Sequence, residues 1–195
     1  MGRVIIRDKP SIYIDTMIAR DVTHRRNDNS EKLIRQIENG GWACYISTFG
    51  IMELIDIEQE ELYVRNKLIE FETLDNIIST RKQRSLIRKD FDRCSDYIDN
   101  FVKRYPFIQI VPLDDTNWNF AMFVASDSNL QATDVIHLIS ALQCDCDVIV
   151  TRDEFFIKEA RRYIKEDEQF WGKLKICRPE SCCDMLRQMG YNNIP

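Results

Sequence analysis

Apolar residues along the chain fall into short runs separated by stretches of helical spacing. SIYID (11–15) alternates and is rich in β-formers, which predicts a short strand closing at Asp15. After the polar stretch THRRNDNS, the segment EKLIRQIEN (31–39) puts Leu33, Ile34 and Ile37 on one helical face, and Gly40-Gly41 stops it. WACYIST (42–48) predicts a second strand. It runs straight into a helix starting FGIMEL, with Ser47 or Thr48 as the N-cap and Glu53 in its first or second turn. FIQIVPL (107–113) and VIV (148–150) predict further strands, and KICRP a short last one. Between them, 114–126 reads as a helix capped by Asp114 or Asp115, and 133–144 as a helix capped by Thr133 with Asp134 in its first turn. EFFIKEARRYI follows Asp153 as a helix, and PESCCDMLRQMG closes the chain with Pro179 at its start. Strand and helix alternate throughout, which predicts a parallel sheet between layers of helices.

Residues 58–104 break this rhythm. They are almost entirely charged helix, acidic in the first half and basic in the second, with eight Lys and Arg against four Asp between Arg81 and Arg104. A helical pair or long helices inserted into a single domain spanning 1–195 is the expectation. Clustered basic groups attract phosphate, so Arg81, Lys82, Arg84 and Arg88 are candidate RNA contacts, as are Arg25 and Arg26 in the His24-Arg25-Arg26 stretch.

Composition narrows the chemistry. The net charge is −5, which argues against a surface coated with basic groups and fits a site built from carboxylates. Seven cysteines, at 44, 94, 144, 146, 177, 182 and 183, are odd in number and form no CxxC pair, so neither a disulfide framework nor a zinc site is expected. Free thiols in that number suit a reducing, cytoplasmic compartment. No apolar run reaches membrane-spanning length. The start, MGRVIIRDKP, has charges inside its apolar stretch and no cleavage pattern, and Ile6 stands where a myristoylation signal needs Ser or Thr. Neither GxGxxG nor GxxxxGK[ST] occurs, so nucleotide binding through those loops is not supported. Trp42 and Trp118, at the starts of elements, are expected in the core, and Trp171 is the better candidate for exposure.

Four acids carry the functional argument. In an open α/β sheet, ligands bind outside the carboxyl ends of the strands. Asp15 ends the first strand, Glu53 lies early in the helix after the second, Asp134 opens the helix before the fourth, and Asp153 follows the fourth. Any one of them is accounted for as a helix cap. Four that converged would repel one another. A hard divalent cation such as Mg²⁺ relieves that repulsion, using one or two carboxylates directly and the others through water. Such an ion activates water against a phosphodiester, and Thr151 is placed to orient that water or a carboxylate. His137, one turn after Asp134, is expected to pack beside the site rather than act in it.

The motifs YIDT (13–16), STFGIMEL (47–54), ATDVIHLISAL (132–142) and VIVTRDEFF (148–156) resemble those of the PIN-domain ribonucleases, most closely the toxin-like VapC branch. Their order and placement match across nearly the whole chain. The resemblance implies a three-layer α/β/α fold and a Mg²⁺- or Mn²⁺-dependent endoribonuclease acting on single-stranded or structured RNA such as tRNA. It implies Asp15, Glu53, Asp134 and Asp153 as the metal-holding acids, supported by Thr16 and Thr151. It further implies homodimers and a cognate antitoxin. The segment between Glu53 and Asp134 is longer than in compact toxins. Two rivals stand beside this reading. One is a catalytically silent PIN-like module that binds RNA or protein. The other is a phosphatase or phosphotransfer domain, for which the second acid of a DxDx[TV] motif is missing after Asp15.

Overall fold

The structure is a computed structural model, and it describes residues 9–191 and Ile194. The leaderless, non-lipidated N-terminus expected from MGRVIIRDKP therefore lies largely outside the described residues. Cα packing divides the chain into two compact units, residues 1–50 with 107–195, and residues 51–106.

The first unit is built on five short parallel strands: β1 (Ser11–Ile14), β2 (Ala43–Ser47), β3 (Ile108–Val111), β4 (Val148–Val150) and β5 (Lys175–Cys177). Their order across the sheet is β3-β2-β1-β4-β5. The register runs Gln109, Tyr45, Tyr13, Ile149, Ile176 across one face, with Ile110, Ile46, Ile14, Val150, Cys177 on the other. Strand period two thus separates two cores.

The face carrying Tyr13, Ile149 and Ile176 is covered by α6 (Asp115–Asp127), α7 (Ala132–Gln143), α8 (Glu154–Glu166) and the short α9 (Glu168–Trp171), through Ala121, Val124, Val135, Leu138, Ile139, Phe156, Ala160 and Trp171. The buried side chains Ile18, Val22, Leu33, Ile34, Ile37, Cys182 and Leu186 of α1 (Thr16–His24), α2 (Asp28–Gly40) and α10 (Cys182–Gln188) form the opposite layer, with α10 packed on β4. The result is the expected three-layer α/β/α arrangement around a parallel sheet.

The order 3-2-1-4-5 places the topological switch between β1 and β4: successive strands build outward from β1 on one side, then outward from β4 on the other. At the opposite, amino edge, fully buried Asp147 ties the same two strands together. Its backbone N–H donates to Ser11 O at 2.8 Å, its Oδ2 accepts from Ser11 N at 2.7 Å, and Lys173 pairs with it closely.

Local expectations met some corrections. TMIARDVTH forms α1, although its apolar positions 18, 19 and 22 are interrupted by Arg20 and Asp21. α2 begins at Asp28, behind its cap Asn27, ahead of the expected segment 31–39. Thr133 does not cap α7: the helix begins at Ala132 behind Gln131, which makes no side-chain cap bond, and Asp134 remains in the first turn. Trp42 is buried as expected, but Trp118 is 48% exposed and Trp171 only 3%. Trp118 sits on the outer face of α6, whereas Trp171 packs edge-on to Phe170 and Tyr163 and tilted against Phe120. Position at the start of an element did not decide burial; the face presented to the sheet did.

The second unit is helical. It holds residues 51–69 of α3 (Thr48–Ile69), then α4 (Leu74–Thr80), a 3-10 turn at Arg81–Gln83, and α5 (Arg88–Arg104). Its buried side chains include Ile51, Leu54, Tyr63, Ile77, Cys94 and Phe101, with the acids Glu58 and Asp90, and Tyr63 Oη bonds Thr80 Oγ1 at 2.6 Å. Phe71, in the α3–α4 turn at φ +61°, is 94% exposed. No helix among the described residues is long and apolar enough to cross a membrane.

Candidate active site

The chain leaves β1 at Asp15 and turns at once into α1. Asp15 caps that helix: its Oδ1 accepts from Ile18 N at 3.0 Å. The same turn occurs after β4. There Thr151 is fully buried, and Asp153 caps α8 through Oδ1, which accepts from Phe156 N at 2.9 Å. The two turns are joined. Thr151 Oγ1 donates a hydrogen bond to Asp15 Oδ2 and accepts one from Asp153 N at 2.9 Å. One hydroxyl therefore joins the Asp15 carboxylate to the Asp153 backbone across the switch point, where an open α/β sheet binds its ligands. Asp15 is 4% exposed and Asp153 half-buried.

Tyr13 fixes the other elements around this edge. Its phenol, two residues before Asp15, bonds His137 Nδ1 at 2.8 Å and accepts from Ser47 N at 3.2 Å. Burial pushes its pKa well up, opposed by the hydrogen bond from Ser47, so it stays a neutral phenol. The bond to His137 pins α7 over β1, and Asp134, half-buried, lies one turn nearer the carboxyl edge. His137 is thus a buried packing histidine, set edge-on to Tyr13 and Phe49. Ser47 caps α3: its Oγ accepts from Gly50 N at 2.9 Å. Thr16, a supporting residue in the sequence reading, turns its hydroxyl to Gly50 O at 3.3 Å and so ties α1 to the start of α3. Glu53 lies one turn past Gly50 on α3, half-buried, in the second unit.

Removing only the Tyr13 hydroxyl tests this hub. Tyr13→Phe leaves buried Ser47 N–H without its acceptor and takes one partner from His137. An unsatisfied buried group costs about 1–3 kcal/mol, so a loss of about 2 kcal/mol is expected, or roughly 4–8 °C in melting temperature. Thermal unfolding followed by circular dichroism checks it; an unchanged midpoint would show that the hub is idle.

The site is made of hard oxygen donors, the carboxylates of Asp15, Asp134 and Asp153 and the hydroxyl of Thr151. That donor set suits Mg²⁺ or Mn²⁺. Among the described residues these acids do not bring three ligand oxygens within 4.8 Å of one another. An ion here would take one or two carboxylates directly and meet the others through water. The helix starts also matter: α1, α7 and α8 each point positive ends toward their own acid, which stabilises negative charge there and offsets mutual repulsion.

The candidate RNA contacts divide. Arg25, in a left-handed conformation at the end of α1, and Arg26 are exposed, as is Lys82. Arg81 lies 3.4 Å from Glu60, Arg88 bonds Asp92 at 2.9 Å, and Arg84 donates to the backbone carbonyl of Asp56 at 3.0 Å and pairs closely with its carboxylate. Arg84 is a structural residue of the helical unit, whereas Arg81 and Arg88 are exposed and hold only weak surface pairs.

Two residues were missed in the sequence. Asp21, 4% exposed, accepts from Ser30 Oγ at 2.7 Å and from Arg152 Nη1 at 2.9 and 3.1 Å. This holds Arg152, between Thr151 and Asp153, beside the site. The signal was an acid on the apolar face of a helix, legible only once TMIARDVTH is recognised as one.

The sequence matches no protein-family model and no curated protein. Among solved structures it is similar to FitAB bound to an IR36 DNA fragment, with a TM-score of 0.48 and 13% identity over 87% of this chain and 95% of that one. It is also similar to FitAcB from Neisseria gonorrhoeae, with a TM-score of 0.48 and 16% identity over 86% and 97%.

Proposed function

We propose that the protein is a Mg²⁺- or Mn²⁺-dependent endoribonuclease of the PIN type. The observation that carries this is the hydrogen-bonded set Asp15–Thr151–Asp153 at the switch point, with Asp134 on the helix pinned there by Tyr13 and His137. Glu53 completes the proposed acidic set on the strength of the motif resemblance. When bound, the ion supplies Lewis-acid activation of a phosphoryl oxygen and of water. The chain's own part is to hold carboxylates in place before substrate arrives. Thr151 orients Asp15 and buries its contact away from solvent, Asp153 is fixed by its own helix, and Thr16 supports the first turn.

We further propose that residues 58–104 are an insertion in one domain of this type, and that the protein works in the cytoplasm as the toxin of a toxin–antitoxin pair, acting on single-stranded or structured RNA such as tRNA. Exposed apolar side chains support protein partners, since contiguous apolar surface usually marks an interface. Trp118, Met122 and Phe123 on α6 suit a homodimer, and Leu68, Ile69, Phe71 and Leu74 suit an antitoxin.

A catalytically silent PIN-like module that binds RNA or protein is the second reading. It is favoured by one fact: Asp15 and Asp153 each have a structural occupation as helix caps. Cleavage of a labelled single-stranded RNA and of bulk tRNA, with Mg²⁺, Mn²⁺ or EDTA, separates the two. The expected result is metal-dependent cutting that disappears in Asp134→Asn. Folded protein that neither cuts nor binds Mn²⁺ is the silent module.

A further inference from the structure

A cleft of about 240 Å³ lies next to the acidic centre, lined by Asn27, Asn29, Arg152, Glu154, Arg178 and Glu180. Arg152 and Glu154 flank Asp153 in the chain, and Arg178 directly follows β5, so the cleft shares the carboxyl edge of the sheet with the candidate active site. Its volume is below the roughly 300 Å³ at which pockets begin to hold drug-sized ligands, and it is scaled to a group no larger than a single nucleobase.

Its charge decides which group. Arg152 is held on Asp21, and Arg178 pairs closely with Glu154 and lies 3.5 Å from Glu180. The lining thus carries two guanidiniums and two carboxylates, with buried Asp21 behind Arg152. A phosphate would meet no net positive wall. A neutral ligand that offers both donors and acceptors needs none. The Arg178–Glu154 pair is exposed, with side-chain accessibilities of 49% and 64%. Such a pair is weak and opens readily for a ligand that satisfies both partners. On Arg152 only Nη1 is engaged by Asp21, which leaves Nε and Nη2 without a protein partner among the described residues.

Among the four RNA bases, guanine matches these walls most fully. Its O6 and N7 form an adjacent acceptor pair that an arginine takes in bidentate fashion. Its N1–H and N2–H form an adjacent donor pair that fits one carboxylate. Adenine offers each neighbouring pair as one donor and one acceptor, which suits an amide rather than an arginine or a glutamate. Bases in single-stranded RNA can be splayed out and read on both edges.

We infer that this cleft reads a guanine beside the scissile phosphate, through Arg178 or Arg152 on the O6/N7 edge and Glu154 or Glu180 on the N1/N2 edge. The use of that contact in cleavage rests on the nuclease reading; the binding does not. Two measurements test it. In EDTA, the four nucleoside 5′-monophosphates are titrated into the full chain and followed by amide chemical shifts. Guanosine monophosphate is expected to bind about tenfold or more tightly than the other three, and Glu154→Gln and Arg178→Gln to erase most of that preference. Equal binding of all four, or none at millimolar concentration, overturns the inference. In parallel, the ends produced from a random-sequence RNA are mapped in the presence of Mn²⁺. Guanine fixed at one position beside the cut, and lost in Glu154→Gln, supports it. Cutting without a guanine preference overturns the inference and leaves the nuclease reading standing. Guanine-selective binding with no cutting in any metal removes the nuclease reading and leaves a base-reading module.

Discussion

Asp15→Asn is expected to keep the fold and reduce metal-dependent RNA cleavage by at least about a thousandfold. Asparagine caps a helix as well as aspartate does, so the bond from Ile18 N survives, and the amide can still meet Thr151 Oγ1. What is lost is the negative charge at the switch point. Holding a catalytic cation is worth several kcal/mol of transition-state stabilisation, and each 1.36 kcal/mol is tenfold in rate. The measurement is kcat/KM on a labelled RNA in Mn²⁺, beside the melting temperature. Loss of activity with an unmoved midpoint assigns Asp15 to chemistry. A variant that melts early and keeps its activity per folded molecule would make Asp15 a cap and nothing more, and would favour the silent module.

The second large effect is on stability. Phe156 is 1% exposed and packs in the core between α8 and the sheet, and its backbone N–H is the one that Asp153 caps. Phe156→Ala removes that ring from a packed interior, at a cost of about 3–5 kcal/mol. The urea midpoint is expected to fall by more than about 1 M at ordinary slopes of 1–3 kcal/mol per molar. Its neighbour Phe155 is 45% exposed. Phe155→Ala is expected to change stability by no more than about 0.5 kcal/mol, as surface substitutions usually do. A pair of adjacent phenylalanines with equal effects would mean that α8 does not sit on the sheet by its Phe156 face.

The two experiments bear on one short stretch. In VIVTRDEFF, the buried strand ends at Val150, Thr151 joins two strand ends, Asp153 both caps and faces the edge, and Phe156 anchors the helix that follows. An acid at the mouth of this strand is therefore structural and available for chemistry at once. Capping uses one carboxylate oxygen of each acid, and Oδ2 of Asp153 is the oxygen that its cap bond does not use.

Much of this was legible along the chain. Strand period two at SIYI and ACYIS, helical spacing in the segments between, and the polar residues where they meet mark the elements and place Asp15, Asp134 and Asp153 at element ends. These are local properties, set by which residues within a few positions share a face, and local patterns carry them. Three other things were settled only in three dimensions. The strand order 3-2-1-4-5 brings Asp15 and Thr151 together across 136 positions of sequence, and no spacing rule states which strands become neighbours. The burial of Trp171 and exposure of Trp118 depend on which face of each helix meets the sheet, not on where each residue sits in its element. The pairing of Arg84 with Asp56, and of Arg152 with Asp21, turns basic groups that look alike in sequence into one that braces a helical unit and one that lines a cleft. Burial patterns are encoded within an element because each residue's neighbours there are fixed by helix or strand geometry. Contacts between elements depend on how the whole sheet is wound.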